Sequence, residues 1–292
     1  ISVRTPAADA ERMDLDPIHA IPDSRPNPQR DGLAGVQSPW DEFELVVVVG
    51  GDGTILGAAE FARPLEIPLL GINLGHVGFL AESEPDTLAF TVQHIVDRSY
   101  AVEERLTVDV EVRRDDEPIW TGWALNEVAV EKIDRRRMLE LIVEIDGRPL
   151  SRYGCDAVVM ATPTGSTAYA FSAGGPVVWP EVEALLLVPS SAHALFARPI
   201  VVSPSSLLSV ELAPMVRGAD VTCDGRRTIE VHAGSRVEVR RGHAPVRLAR
   251  LHEAPFTSRL VAKFRLPVQG WRVRPATRGT GEASTGSVAS GS

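Results

Sequence analysis

The sequence predicts an α/β domain followed by a β-rich, sandwich-like domain, with the functional site between them. Residues 45–49 form an unbroken Leu-Val run that enters a glycine turn and then a helical stretch. Apolar runs and helix-like stretches keep alternating up to about residue 96, the pattern of a parallel sheet covered on both faces. From residue 106 apolar and polar residues alternate with period two, the pattern of half-buried strands.

Taken in order, residues 1–40 carry Pro6, Pro17, Pro22, Pro26, Pro28, Gly32, Gly35 and Pro39 with little apolar periodicity, which predicts a disordered or atypical arm. The α/β domain is expected over 41–104: a strand at 45–49, a helix at 55–63, a strand at 67–72 and a helix at 84–96. The β-rich domain is expected over 105–255. Its alternating runs fall at 107–112, at 139–145 ahead of an Asp146-Gly147 turn, and at 209–212, 228–231, 236–239 and 246–251. A continuous apolar strand at 156–160 precedes a loop rich in Gly, Ser and Thr. Residues 256–273 are expected to pack back on the α/β domain. The composition of 274–292 predicts a disordered tail.

Composition narrows the classes of function. The 292 residues are 44% hydrophobic and 24% charged, with a formal net charge of -9. That charge argues against general binding to nucleic acid or to an anionic membrane, both of which need a cationic field. No apolar run approaches the roughly 18 to 20 residues of a membrane span. The first residues lack a basic, apolar, small-residue leader pattern, and Cys155 and Cys223 lie far apart without a CxxC partner. A reduced, cytoplasmic protein without a cysteine zinc site is expected. The histidines, His76 and His193 among them, have no metal-ligand spacing. Arg135-Arg136-Arg137 is a dense cationic cluster that reads equally as a solvated turn or an anion contact.

Chemistry concentrates at Gly50-Gly51-Asp52-Gly53-Thr54. Glycines at a strand end let backbone amides approach an anion, and the following helix start adds partial positive charge. No Lys-Ser/Thr pair follows and position 56 is Leu56, so neither the P-loop nor the dinucleotide fingerprint fits. What sets the turn apart is Asp52, at the sheet edge where α/β folds bind ligands. It reads as a helix cap, or as a base or metal ligand for phosphoryl transfer to a hydroxyl.

The pentapeptide resembles the signature shared by NAD kinases, lipid kinases and, more distantly, 6-phosphofructokinases. Three further stretches narrow the resemblance to the NAD kinases, of actinobacterial flavour, over about 43–271. They are Gly71-Ile72-Asn73-Leu74-Gly75-His76-Val77-Gly78-Phe79-Leu80, Ala124-Leu125-Asn126-Glu127-Val128, and a run from Ala161 to Pro176 containing Thr162-Pro163-Thr164-Gly165-Ser166-Thr167-Ala168-Tyr169.

The resemblance implies phosphorylation of NAD on the 2′-hydroxyl of its adenosine ribose, from ATP or polyphosphate. Magnesium or another divalent cation would be held by donor phosphates and water and not by the protein alone. It implies Asp52 as the catalytic residue within Gly51, Asp52 and Gly53. Asn126 and Glu127, otherwise a strand-start dipeptide, would bind the adenosine. Thr164, Ser166, Thr167, Ala168, Tyr169, Ala170, Phe171 and Ser172 would bind nucleotide, with Tyr169 a wall of the pocket. Asp156 would contact the nicotinamide side, although Cys155-Asp156-Ala157 replaces the usual Gly-Asp-Gly. Arg137 aligns with a substrate-contacting loop position. Arg226 aligns with a substrate-contacting glutamine and suits an NADP phosphate better than an amide would, or is simply a hairpin arginine. Phe79 would pack on the adenosine or in the core, and His76 reads as structural. A homodimer or homotetramer is implied. NAD kinases begin with a strand well before the glycine turn, and 1–40 does not read as one, so the α/β domain is expected to be truncated. Two alternatives stay open, a non-catalytic NAD or NADP sensor and a lipid kinase of the same superfamily.

Overall fold

The computed structural model describes residues 5–6, 20–21, 43–73, 78–83, 88–252 and 255–268. The expectations for most of 1–40, for 274–292 and for His76 fall outside the described residues. Two short strands near the start, β1 (Thr5–Pro6) and β2 (Ala20–Ile21), pair in parallel.

The valine run becomes β3 (Val46–Val49), which pairs in parallel with β4 (Leu69–Asn73), Val46 opposite Leu69 and Val49 opposite Ile72. Between them α1 (Asp52–Ala62) and a 3-10 turn (Arg63–Leu65) make the crossover. Ile55, Leu56, Ala59 and Ala62 share one face of α1 at helical spacing and pack against Val48, Leu69 and Leu248. A short strand β5 (Glu82–Ser83) lies beside β4, and α2 (Leu88–Val96) leads to β6 (Ala101–Arg105).

The next six strands, with six more after a short helix, divide between two antiparallel six-stranded sheets. One sheet holds β7 (Val108–Arg114), β8 (Glu117–Ala124), β10 (Leu139–Ile145), β11 (Arg148–Cys155), β15 (Leu208–Leu212) and β18 (Arg236–Arg241). The other holds β9 (Glu127–Lys132), β12 (Ala157–Ala161), β13 (Leu185–Ser190), β14 (Ile200–Val202), β16 (Ala219–Cys223) and β17 (Arg227–Val231). Alternation sets which face is buried: Val108, Val110 and Val112 point inward while Asp109 and Glu111 do not. They meet Leu139, Leu141 and Val143 of their own sheet and Val128, Val130, Val158, Met160 and Val221 of the other in one core. β12 is buried throughout because its second face, Val159 and Ala161, is covered by Ala170, Val178, Leu186 and Val188. That second layer explains why its sequence is a continuous apolar run.

The chain then crosses back. β19 (Val246–Arg250) leaves the sandwich and inserts into the α/β sheet, parallel to β4 and antiparallel to β6, giving the order β3-β4-β19-β6. Its alternation reads like that of any sandwich strand, and only pairing partners decide its sheet. The last described element, α4 (Phe256–Phe264), lies on the segment 78–83. Among the described residues no helix is long and apolar enough to cross a membrane.

Candidate functional site

β3 delivers the chain to Gly50, whose N–H donates to the Ile72 carbonyl at 2.8 Å, and Gly51 caps α1. Asp52 is therefore the first residue of α1, where the helix N-terminus favours a carboxylate. Its Oδ2 accepts the Phe79 N–H and its Oδ1 the Leu80 N–H, each at 3.0 Å. A Cβ on Gly78 would stand 2.3 Å from Asp52 Oδ1, so glycine is what lets the carboxylate seat there. Each oxygen spends one lone pair on an N–H and keeps another, which leaves the group fixed in direction and still able to accept a proton. Above the turn there is room: a Cβ at Gly51 or Gly53 would meet nothing within 4 Å among the described residues.

A second cluster forms at the start of β9. Asp224 leads the tight turn between β16 and β17, with φ 52° followed by 64° at Gly225. Its carboxylate accepts the N–H groups of Leu125 at 2.9 Å, Asn126 at 2.7 Å and Glu127 at 3.3 Å, and pairs with Arg227 at 2.9 Å. Burial pushes the Asp224 carboxyl up, opposed by these N–H bonds and by Arg227. The Asn126 carbonyl accepts the Thr162 N–H at 2.9 Å, and a Cβ on Gly165 would stand 2.0 Å from that same oxygen. Thr162 Oγ1 donates to the Leu125 carbonyl at 2.6 Å and accepts the Gly165 N–H at 3.1 Å. The Asn126-Glu127 and 162–172 stretches, far apart in sequence, are thereby one structure. Asp224 was missed as its organiser because an acid before glycine in a hairpin reads as turn chemistry alone.

Glu127 is buried, and its Oε2 has no hydrogen-bond partner. Burial, then the nearby Asp224, pushes its carboxyl up to about 8, against a hydrogen bond from the Tyr169 backbone. Tyr169 opens the short helix α3 (Tyr169–Ser172), and its hydroxyl donates to Glu131 at 2.9 Å. Burial and Glu131 together push that phenol up to about 12. Ser166 is spent internally, its Oγ donating to the Val178 carbonyl at 3.1 Å and accepting the Val178 N–H at 2.9 Å. Thr167 Oγ1 donates to the Thr164 carbonyl at 3.2 Å. Thr164 is buried and Ala170 lies in the core beside β12, whereas Phe171 and Ser172 are exposed.

Asp156 sits at the other end of β12, a distance of about 17 Å from the Asn126 end at strand rise. Its carboxylate pairs with Lys132, chiefly through a hydrogen bond that holds it below its ordinary range. Cys155 and Ala157 replace glycines without strain, because neither has a positive φ. Both thiols, Cys155 and Cys223, are buried and pushed up to about 12, which makes them inert side chains. Arg137 lies in the exposed turn after β9, closed by its N–H on the Asp134 carbonyl at 3.3 Å. Arg226 reaches α1: its Nε donates to Glu60 at 3.3 Å, and its Nη2 lies 3.1 Å from where a Gly57 Cβ would be.

Phe79 is buried between rings of α4, with centroids 5.7 Å from Phe256 and 6.0 Å from Phe264, and Phe264 also meets Phe171 of α3 in a tilted contact at 4.6 Å. The sequence reading gave core packing as one of two roles for Phe79, and its partners were invisible because α4 follows it by about 180 residues. Among the described residues no group of three or more His, Cys, Asp or Glu side chains could hold a metal ion.

Comparison with known proteins covers both halves of this arrangement. The ATP-NAD kinase N-terminal domain model matches residues 23–100 and the ATP-NAD kinase C-terminal domain model matches 125–251. The chain is 61% identical to NAD kinase 2 of Streptomyces coelicolor over 252 residues, 86% of this chain and 84% of that protein. It is 55% identical to the NAD kinase of Thermobifida fusca over 285 residues, 96% of this chain and 85% of that one. Among solved structures, an Archaeoglobus fulgidus NAD kinase in complex with ATP superposes with a TM-score of 0.63 at 28% identity, over 88% of this chain and 92% of that one. Yeast NADH kinase complexed with NADH shares the fold, with a TM-score of 0.71 at 23% identity, over 79% of this chain and 69% of that one.

Proposed function

The chain belongs to the NAD kinase family, and from that premise we propose that it transfers a phosphoryl group from ATP to the 2′-hydroxyl of the adenosine ribose of NAD, yielding NADP. The observation that carries this reading is Asp52, fixed by the Phe79 and Leu80 N–H groups beside a turn with open space above it. A carboxylate is too weak a base to deprotonate a free sugar hydroxyl in the ground state. It serves instead by orienting the hydroxyl and accepting its proton late, as the phosphoryl group arrives through a loose transition state.

The other residues divide the substrate between them. Asn126 and the unpartnered Glu127 oxygen face the adenosine, the 162–172 loop walls it with Tyr169, and Asp156 with Lys132 receives the nicotinamide side. Arg226 is proposed to contact the phosphate of NADP, and Arg137 to approach the ligand from its exposed turn. A divalent cation bound with the donor would neutralise charge on its phosphates. Donor oxygens and water would hold it, with the free lone pairs of Asp52 the one fitting protein ligand in the turn. Polyphosphate as a second donor, a cytoplasmic location and a homo-oligomeric assembly belong to the same proposal.

The deciding assay supplies purified protein with NAD, ATP and magnesium and follows NADP. Asp52→Asn is expected to lower turnover by at least about a hundredfold while NAD affinity changes little. Near-normal turnover in that variant would remove Asp52 from the chemistry. NAD binding without turnover in the folded parent chain would instead make it a sensor, which has no need of the acid.

A further inference from the structure

Three arginines are gathered on the side of segment 78–83 where α4 packs. Arg105 ends β6, Arg250 ends β19 and Arg259 lies in α4, and each is more than nine-tenths buried. Arg259 Nη1 donates to the Phe79 carbonyl at 3.0 Å and Nη2 to Glu82 at 3.0 Å. Arg250 donates to the Leu80 carbonyl at 2.8 Å, to Glu82 at 3.1 Å and to Glu103 at 2.9 Å. Arg105 meets the other oxygen of Glu103 at 2.7 Å. Among the described residues, three guanidiniums thus face two carboxylates, which leaves one positive charge uncompensated within the group.

Buried charge without compensation is costly, and a buried donor without an acceptor asks for a reason. Arg105 Nε and Arg250 Nη2 are both such donors. Burial lowers the Arg105 and Arg259 pKa values, and the neighbouring Arg250 lowers them further. All three arginines line a cavity of about 380 Å³ walled also by Ser99, Pro180 and Phe256, with the exposed Glu181 on its lining. Guanidiniums present planar, paired donors that match a phosphate.

We propose that this cavity is an anion site for a compact oxyanion of the phosphate class, separate from the nucleotide cleft at Asp52. Two of its arginines, Arg250 and Arg259, donate to the carbonyls of Leu80 and Phe79, the residues whose own N–H groups hold Asp52, so its occupant braces the same segment from behind.

The test is isothermal titration of the full chain with inorganic phosphate and with pyrophosphate, in the presence of saturating NADP to fill the nucleotide cleft. Binding is expected to persist under NADP, to weaken at least tenfold in Arg105→Gln, and to tighten severalfold in Glu103→Gln, which frees Arg105 and Arg250 for the anion. A purely structural ion-pair cluster predicts no binding, or loss in both variants alike. Absence of binding to the folded parent chain, displacement by NADP, an unchanged Arg105→Gln, or weakening in Glu103→Gln would each overturn the site. Circular dichroism and thermal unfolding check each variant's fold, and Glu103→Gln still decides the matter if Arg105→Gln does not fold. Because the readout is binding and not turnover, failure here leaves the kinase reading intact, and failure of that reading leaves this site standing.

Discussion

Glu127 illustrates how a single buried group ties stability to ligand binding. Its folded carboxyl titrates at about 8 against an ordinary 4.5, so between those values the folded chain holds a proton that the unfolded chain has lost. Stability from this group is therefore greatest below about pH 4.5 and falls as pH rises to about 8. Glu127→Gln should remove that slope and raise stability at pH 8 by on the order of 3 kcal/mol, while weakening NAD binding. Urea unfolding of both proteins at pH 5 and pH 8 measures it, and parallel profiles would refute it. Gly78 gives a second expectation at this scale. Its missing Cβ makes room for Asp52 Oδ1, so Gly78→Ala should displace that carboxylate and cost about 1–3 kcal/mol, with turnover falling more than NAD affinity. Asp52 itself was legible in the sequence, because a carboxylate between glycines at a strand end has few purely structural uses. Asp224 was not legible, because its partners lie about 100 residues away.

Among the elements, the β16–β17 turn and α4 do the positioning. Asp224 binds three consecutive backbone N–H groups, which fixes the start of β9 as an N-cap fixes a helix. Asp224→Ala leaves those donors and Arg227 without their acceptor and is expected to cost about 3–5 kcal/mol, visible as a lower denaturation midpoint and a large rise in the NAD dissociation constant. α4 brings Phe264 between Phe79 and Phe171, joining the segment that holds Asp52 to the short helix α3. Phe264→Ala should cost about 3 kcal/mol and raise the KM for NAD without altering the chemistry of Asp52. A kcat loss with unchanged KM would show that α4 acts on the glycine turn alone. The amphipathic pattern of such a helix reveals that it packs, not what it packs on.

At the scale of the whole molecule, Trp123 of the sandwich strand β8 packs against the core of the α/β part. The guanidinium carbons of Arg63 and Arg227 sit 4.4 and 4.6 Å from its ring, and Arg63 continues to Asp109 at 3.1 Å. Arg227 and Arg226 both reach Glu60 on α1, which locks the helix that follows the glycine turn to the sandwich hairpin. Trp123→Ala is expected to cost about 3–5 kcal/mol and to lower NAD affinity, because the cleft's two walls lose their common support. Stability loss with unchanged affinity would mean that the cleft tolerates movement of the walls. The return of β19 into the α/β sheet reinforces this coupling, since the two parts are not consecutive beads on the chain.

By itself the sequence determined that an α/β part is followed by a β-rich one, the hairpin at Asp146-Gly147, the carboxylate of the glycine turn and the family that turn belongs to. These are local properties, carried by periodicities of two and 3.6 and by residues whose backbone conformation only glycine or a cap satisfies. The tertiary structure alone decided which sheet β19 joins, what holds Asn126 and Glu127, and why Ser166 is committed to Val178. It also decided that three arginines from three distant elements share one cavity. Each of these depends on partners far apart in sequence, where the energy lies in pairing and burial and leaves no local pattern to read.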